Sequence, residues 1–222
     1  MMTARVKEFV DCLLAGDQDC AWEIVLEEIQ QGKSSLETYE TLITKAMQIT
    51  GDLWENNVIS VADEHVATTT CDYILSRYRF HKKIQGNTSE ETPKAMFLCL
   101  EQEEHFIGLK MVSQLFEEYG WNTRFLGANL PIRYAEEMAK EWKPDIVGLS
   151  VTIPYHVERL SEYVKTLDQL ENRPVVMVGG RLLPLLDFTS HCSEETLLIP
   201  NLHELNSWLN SYKSGVEMNV DA

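Results

Sequence analysis

Residues 95–108 read AMFLCLEQEEHFIG. The six residues from Ala95 to Leu100 are apolar without the alternation of a half-exposed strand, so they read as a strand covered on both faces. Acidic residues then break the run, and a helical period begins at Ile107 and continues to Tyr119. A strand that passes at once into a helix opens a β-α-β unit. The alternation repeats downstream, with strands at 123–126, 146–151, 175–178 and 196–199 and helices at 133–142, 157–170 and 202–212. The expectation for this half is a Rossmann-like, flavodoxin-type α/β domain: five parallel, doubly wound strands in the order 2-1-3-4-5.

Upstream of this unit the period is helical throughout. Val6, Phe9, Val10, Leu13 and Leu14 share one face, which Gly16 ends. Asp17 can cap a second helix carrying Ala21, Ile24, Val25 and Ile29, closed by Gly32. Ser34 or Ser35 starts a third helix with Leu36, Tyr39, Leu42, Ile43, Ala46 and Met47. Ser60 caps a fourth through Val61, His65, Thr68, Tyr73 and Leu75, with Glu64 late in its first turn. Four helices with short connections suggest an antiparallel four-helix bundle. Residues 81–93, HKKIQGNTSEETP, are polar and aperiodic. The expected division is a bundle over 1–82, a linker over 83–93 and the α/β domain over 94–222.

Composition narrows the function. The 222 residues carry a net charge of −16 with a pI of about 4.7. Such a surface repels phosphate backbones, so direct nucleic-acid binding is not expected. Cys12, Cys20, Cys71, Cys99 and Cys192 are scattered and form no C-x-x-C pair. The set reads as reduced thiols, with neither a disulfide framework nor a zinc site. The first twenty residues lack the apolar core of a signal peptide, and no stretch has the length of a membrane helix. A cytoplasmic protein is expected.

In a doubly wound sheet, ligands sit beyond the carboxyl ends of the strands where strand order reverses. The order 2-1-3-4-5 makes neighbours of residues 103–108, of Ser150-Val151-Thr152 and of Gly179-Gly180. A flavin phosphate would need a Ser, Thr and Gly loop after the first strand, where this chain has Glu101-Gln102-Glu103-Glu104-His105. No G-x-G-x-x-G follows a strand, and Ser150 stands where a phospho-accepting receiver has an aspartate. What remains is His105 with a carboxylate two residues before it. That pairing suits a metal ligand whose second ring nitrogen is oriented by an acid.

These residues resemble the cobalamin (B12)-binding domain of methionine synthase, corrinoid methyl carriers and B12-dependent photoreceptors. Its signature, D-x-H-x-x-G followed by S-x-L and G-G, is matched by Glu103, His105 and Gly108, then Ser150 and Thr152, then Gly179 and Gly180. The resemblance implies that His105 is the axial ligand to cobalt from below. It also implies that the cofactor's nucleotide tail lies beside Ser150 and the paired glycines. Glu103 stands in place of the aspartate and Thr152 in place of the leucine.

The helical half is similar to the cap over the corrin's upper face in that family. Trp54 and Glu64-His65 match the W-x9-E-H motif of CarH-type photoreceptors. That resemblance implies that Trp54, Val61, Glu64 and His65 line the pocket for a 5′-deoxyadenosyl group, making adenosylcobalamin the expected cofactor. The family's repressors have an N-terminal DNA-binding domain, and this sequence begins with the helical half. They also have an upper histidine directly after the tryptophan, where this chain has Glu55. The expected function is a light-responsive cobalamin sensor, not an enzyme, acting through a regulatory protein partner or as a homo-oligomer. The alternative is a corrinoid methyl carrier serving partner methyltransferases.

Overall fold

The structure is a computed structural model that describes residues 3–84, 89, 91–154 and 157–213. The chain divides into two compact units, Met1–Ile84 and Gln85–Ala222. The middle of the expected linker, and His156 at the expected start of a helix, lie outside the described residues.

The first unit is helical: α1 (Ala4–Ala15), α2 (Gln18–Gln30), α3 (Ser35–Thr38), α4 (Lys45–Glu55) and α5 (Val61–His81). The caps follow the sequence. Thr3 accepts the Val6 N–H, Asp17 accepts the Cys20 N–H, and Ser34 and Ser60 each form a reciprocal capping box, with Glu37 and Asp63. Gly16 closes α1 at φ 69°, a left-handed position that favours glycine. His81, the first residue of the polar stretch 81–93, is the last residue of α5.

Two features depart from expectation. The third helix is not a uniform α-helix, because a π-helical stretch, Tyr39–Thr44, joins α3 to α4. Its wider turn turns Tyr39, Leu42 and Ile43 inward together with Ala46 of α4, all four buried. Tyr39 then packs against Tyr78 of α5 with ring centroids 5.3 Å apart, and the Tyr78 hydroxyl is 2.9 Å from that of Ser35. The reading of five reduced thiols is also corrected: Cys12 of α1 and Cys20 of α2 form a disulfide, their Cα atoms 5.8 Å apart. The tight turn at Gly16 and Asp17 folds α2 back on α1 and brings together two cysteines that lack motif spacing. Cys71 and Cys99 are buried thiols.

The second unit is a five-stranded parallel sheet in the order β2-β1-β3-β4-β5, as expected. The strands are β1 (Lys94–Leu100), β2 (Asn122–Leu130), β3 (Ile146–Ser150), β4 (Val175–Gly179) and β5 (Leu197–Ile199). The connecting helices are α6 (Ile107–Glu118), α7 (Ile132–Trp142), α8 (Val157–Asp168) and α9 (Leu202–Lys213). β2 runs four residues past its expected end at Leu126. Its outer edge position leaves most of its side chains half-buried, so Gly127, Ala128 and Asn129 do not read as a buried strand. β1 has no such ambiguity: the six residues from Ala95 to Leu100 are buried, as expected of the strand between β2 and β3.

The core on one face joins Met96, Leu98 and Leu100 to Val147, Leu149, Val176 and Val178, covered by Ala135, Ala139, Leu160, Val164 and Leu167. On the other face Phe97 meets Phe116, which stacks in turn on Trp121 and Trp208. Phe97 lies over Gly148 so closely that a Cβ there would sit 2.4 Å from the ring. The ring is enclosed on both sides and cannot yield. Gly148→Ala is therefore expected to destabilise the chain by about 1–3 kcal/mol of overpacking, read as a lowered urea midpoint with an unchanged m-value.

Candidate functional site

The loop between β1 and α6 is built around one buried acid. The Glu103 side chain has no exposed surface. Its Oε1 accepts the His105 Nδ1–H at 2.5 Å and the His105 backbone N–H at 3.1 Å, while Oε2 accepts the Thr152 backbone N–H at 2.8 Å. Burial pushes the carboxyl up, but these hydrogen bonds outweigh it and hold Glu103 at about 2, below the ordinary 4.5. Ionised at neutral pH, Glu103 can only accept, so the proton on the neutral His105 ring sits on Nδ1. The lone pair is therefore on Nε2, in a side chain that is 50 % exposed. An imidazole held in this way by an acid on its other ring nitrogen has the arrangement seen in metal-ligating histidines.

Residues outside the expected set hold this loop. The Asn129 N–H donates to the Glu103 carbonyl at 3.0 Å, and the Asn129 side chain accepts the Gln102 N–H at 2.8 Å. Gln102 and Asn129 both adopt positive φ, 71° and 54°. The Tyr163 hydroxyl accepts the Glu101 N–H at 3.0 Å and donates to the Leu130 carbonyl at 2.6 Å. Arg159 reaches the Glu101 carbonyl and the Gln102 side chain. Tyr163 sits at an apolar position of α8, so its hydroxyl role carries no sequence signal. Asn129 becomes legible only once β2 extends to Leu130.

The remaining expected residues of this unit gather at the same strand ends. Ser150 ends β3, paired in register with Cys99 of β1 and Gly179 of β4. Thr152 joins them through the hydrogen bond that its backbone N–H donates to the Glu103 carboxylate. The two glycines differ. A Cβ on Gly179 would make ordinary contact with the Ile199 carbonyl, whereas one on Gly180, at φ +148°, would lie 2.1 Å from the Val151 carbonyl oxygen. The chain's own backbone therefore requires glycine at 180. Gly108, in the first turn of α6, is the reverse: a Cβ there would meet nothing within 4 Å. Internal packing does not require that glycine, and it leaves space one helical turn from His105.

In the helical unit, Trp54 near the end of α4 and Val61 at the start of α5 are 44 % and 54 % exposed. Val58, between them, is exposed as well. The Glu64 carboxylate is engaged on both oxygens, by the His65 Nδ1 at 2.8 Å and by the Thr68 hydroxyl at 2.7 Å. Val58 N–H bonds the Leu53 carbonyl and Asn57 takes φ 55°, so the turn that presents these side chains is internally bonded. Among the described residues no group of three or more His, Cys, Asp or Glu could hold a metal ion.

Comparison with known proteins decides the family. One family model for the B12 binding domain matches residues 93–186, and a second matches residues 5–78. Dimethylamine corrinoid protein 2 of Methanosarcina acetivorans is 30% identical over 169 residues, covering 72% of this chain and 76% of that protein. The chain belongs to the B12 binding domain family. It is also similar to the HTH-type transcriptional repressor CarH of Myxococcus xanthus, 24% identical over 157 residues, which cover 70% of this chain and 51% of the repressor. The chain thus spans about half the length of that relative. The fold is that of the Methanosarcina barkeri monomethylamine corrinoid protein, with a TM-score of 0.68 at 18% identity, covering 91% of this chain and 95% of that one.

The residues of this B12 binding domain fit the group that the family takes. His105 offers a nitrogen lone pair on a side chain half open to solvent, the carboxylate behind it is ionised, and Gly108 leaves free space beside it. No described helix is long and apolar enough to cross a membrane.

The depressed Glu103 carboxyl ties stability to pH. Its contribution is complete above the ordinary carboxyl value of 4.5 and is lost as pH falls toward 2. Urea titrations of the wild type are expected to lose about 3 kcal/mol of stability across that window through this group. Glu103→Gln is expected to be less stable at neutral pH and to flatten the profile between those limits.

Proposed function

We propose that the protein is a cobalamin-dependent sensor that binds adenosylcobalamin, with His105 as the lower axial ligand to cobalt. Ser150, Thr152, Gly179 and Gly180 flank the nucleotide tail, and Gly108 lies against the corrin. Trp54, Val61, Glu64 and His65 contact the 5′-deoxyadenosyl group. The bound group supplies a cobalt–carbon bond that light can break. The chain's residues bind and orient: Glu103 holds the His105 ring, Trp54 offers an aromatic face to the nucleoside, and the Glu64 carboxylate accepts from ribose hydroxyls. Trp54 and Val61 would pack against the adenosyl group while it is bound, and a protein partner or a second copy of the chain would respond to whether they are covered.

The observation that carries this reading is the exposed apolar pair Trp54 and Val61, on the two sides of the turn that leads from α4 into α5 and Glu64. Apolar side chains held out by a hydrogen-bonded turn suit an apolar ligand surface better than solvent. A second reading, a corrinoid methyl carrier for partner methyltransferases, is favoured by the Methanosarcina corrinoid relatives, and it uses His105 and the strand-end residues in the same way. In that reading the upper face takes a methyl group, and Trp54 makes no contact specific to adenosyl.

One experiment separates the two. The purified chain is mixed with adenosylcobalamin or methylcobalamin in darkness, and absorption and size exclusion are recorded before and after illumination. The sensor binds adenosylcobalamin with a histidine-ligated, base-off spectrum and changes in mass after light; binding of methylcobalamin alone selects the carrier. His105→Ala is expected to abolish the histidine-ligated spectrum in either case, and its persistence removes the ligand assignment. Trp54→Ala is expected to weaken adenosylcobalamin about tenfold, or about 1.4 kcal/mol, and to leave methylcobalamin unchanged.

A further inference from the structure

Helix α5 carries apolar residues on two faces. Ala67, Cys71, Ile74, Leu75 and Tyr78 are buried within the helical unit. Beside that face Val66, Tyr73 and Phe80 are 43 %, 42 % and 86 % exposed. They recur every seven residues and therefore form one stripe, about 21 Å long at 1.5 Å per residue. Thr69 and Ser76, three residues after the first two, are small and exposed, so a second helix can approach closely along the stripe.

The charge along the same helix is divided. Asp63 and Glu64 lie in its first turn and Asp72 at its middle, while Arg77 (which also pairs with Asp19), Arg79 and the two lysines just after the helix, Lys82 and Lys83, lie at its end. Half of the eight Lys and Arg residues in 1–84 fall in those last seven positions, in a stretch that also holds 14 Asp and Glu. Tyr73 is the centre of both patterns. Val66 and Phe80 lie seven residues to either side of it, and Asp63 and Lys83 ten residues to either side.

We infer that the exposed face of α5 is a homodimer interface, on which α5 of a second copy packs antiparallel about a twofold axis at Tyr73. The axis sets Val66 of each copy against Phe80 of the other and Tyr73 against its own counterpart. It brings the acidic start of each helix beside the basic end of the other. Parallel packing would place like charges together, so the charge pattern selects the antiparallel arrangement. A single helix pair buries a modest area, so the dimer is a dissociable one that strengthens as salt is lowered. The inference needs no particular upper ligand on cobalt and holds for either reading of the cofactor site.

Sedimentation velocity of the full chain, with no corrinoid added, tests it over a concentration series at low and high salt. The expected result is a monomer–dimer equilibrium that weakens with salt, in which Phe80→Glu raises the dissociation constant about tenfold or more. Phe80 is almost fully exposed, so this variant is expected to keep the wild-type circular dichroism and melting temperature. Tyr73→Cys is expected to cross-link two copies under mild oxidation, while the unsubstituted chain does not. A chain that stays monomeric throughout overturns the inference. So does a dimer that Phe80→Glu leaves intact, or one that Tyr73→Cys fails to cross-link.

Discussion

The Glu103 carboxylate is ionised with no exposed surface, and much of the second unit is arranged around that fact. A buried charge has to be met by hydrogen bonds on both oxygens. One oxygen takes the His105 ring and amide, and the other takes the amide of Thr152, just past the end of β3. The acid thus ties the first loop to the neighbouring strand and fixes the tautomer of the histidine in a single arrangement. Sheet order decides that this happens where it does, because β1 and β3 are adjacent and their ends lie at the same level.

Around that acid, the loop is held by groups from neighbouring elements. Asn129 reaches it from β2, and Tyr163 and Arg159 reach it from α8. Each bonds backbone or polar atoms at residues 101–103. The loop enters α6 with its direction fixed before any ligand arrives, which limits the ordering entropy lost on binding. The glycines divide between two causes. Gly180 is demanded by the Val151 carbonyl and Gly148 by the Phe97 ring, whereas no atom of the chain demands Gly108.

The helical unit shows the same division between what packing uses and what it leaves. Its core consumes Tyr39, Leu42, Ile43, Ile74, Leu75 and Tyr78. Trp54, Val58 and Val61 at one turn, and Val66, Tyr73 and Phe80 along one helix, remain outside it. The first group lies at the turn into α5, and the second runs along that helix, which carries acids at its start and basic residues at its end.

Local sequence was enough for whatever depends on neighbours in the chain. The unbroken apolar run at 95–100 marked a strand buried on both faces, helical periods marked the helices, and Asp17, the pair Ser34-Ser35 and Ser60 marked their starts. The spacing of Glu103 and His105 placed acid and imidazole within reach of each other, since two residues in a loop cannot be far apart. Contacts between distant segments were decided by the tertiary structure. It joined Cys12 to Cys20, converted part of the third helix to a π-helix so that Tyr39 could reach Tyr78, and extended β2 along the edge of the sheet. It also gave Glu103 its second partner, because a backbone amide 49 residues away leaves no mark in the residue type that carries it. Sequence names the side chains a site can use, but only the packed chain determines which main-chain atoms stand beside them.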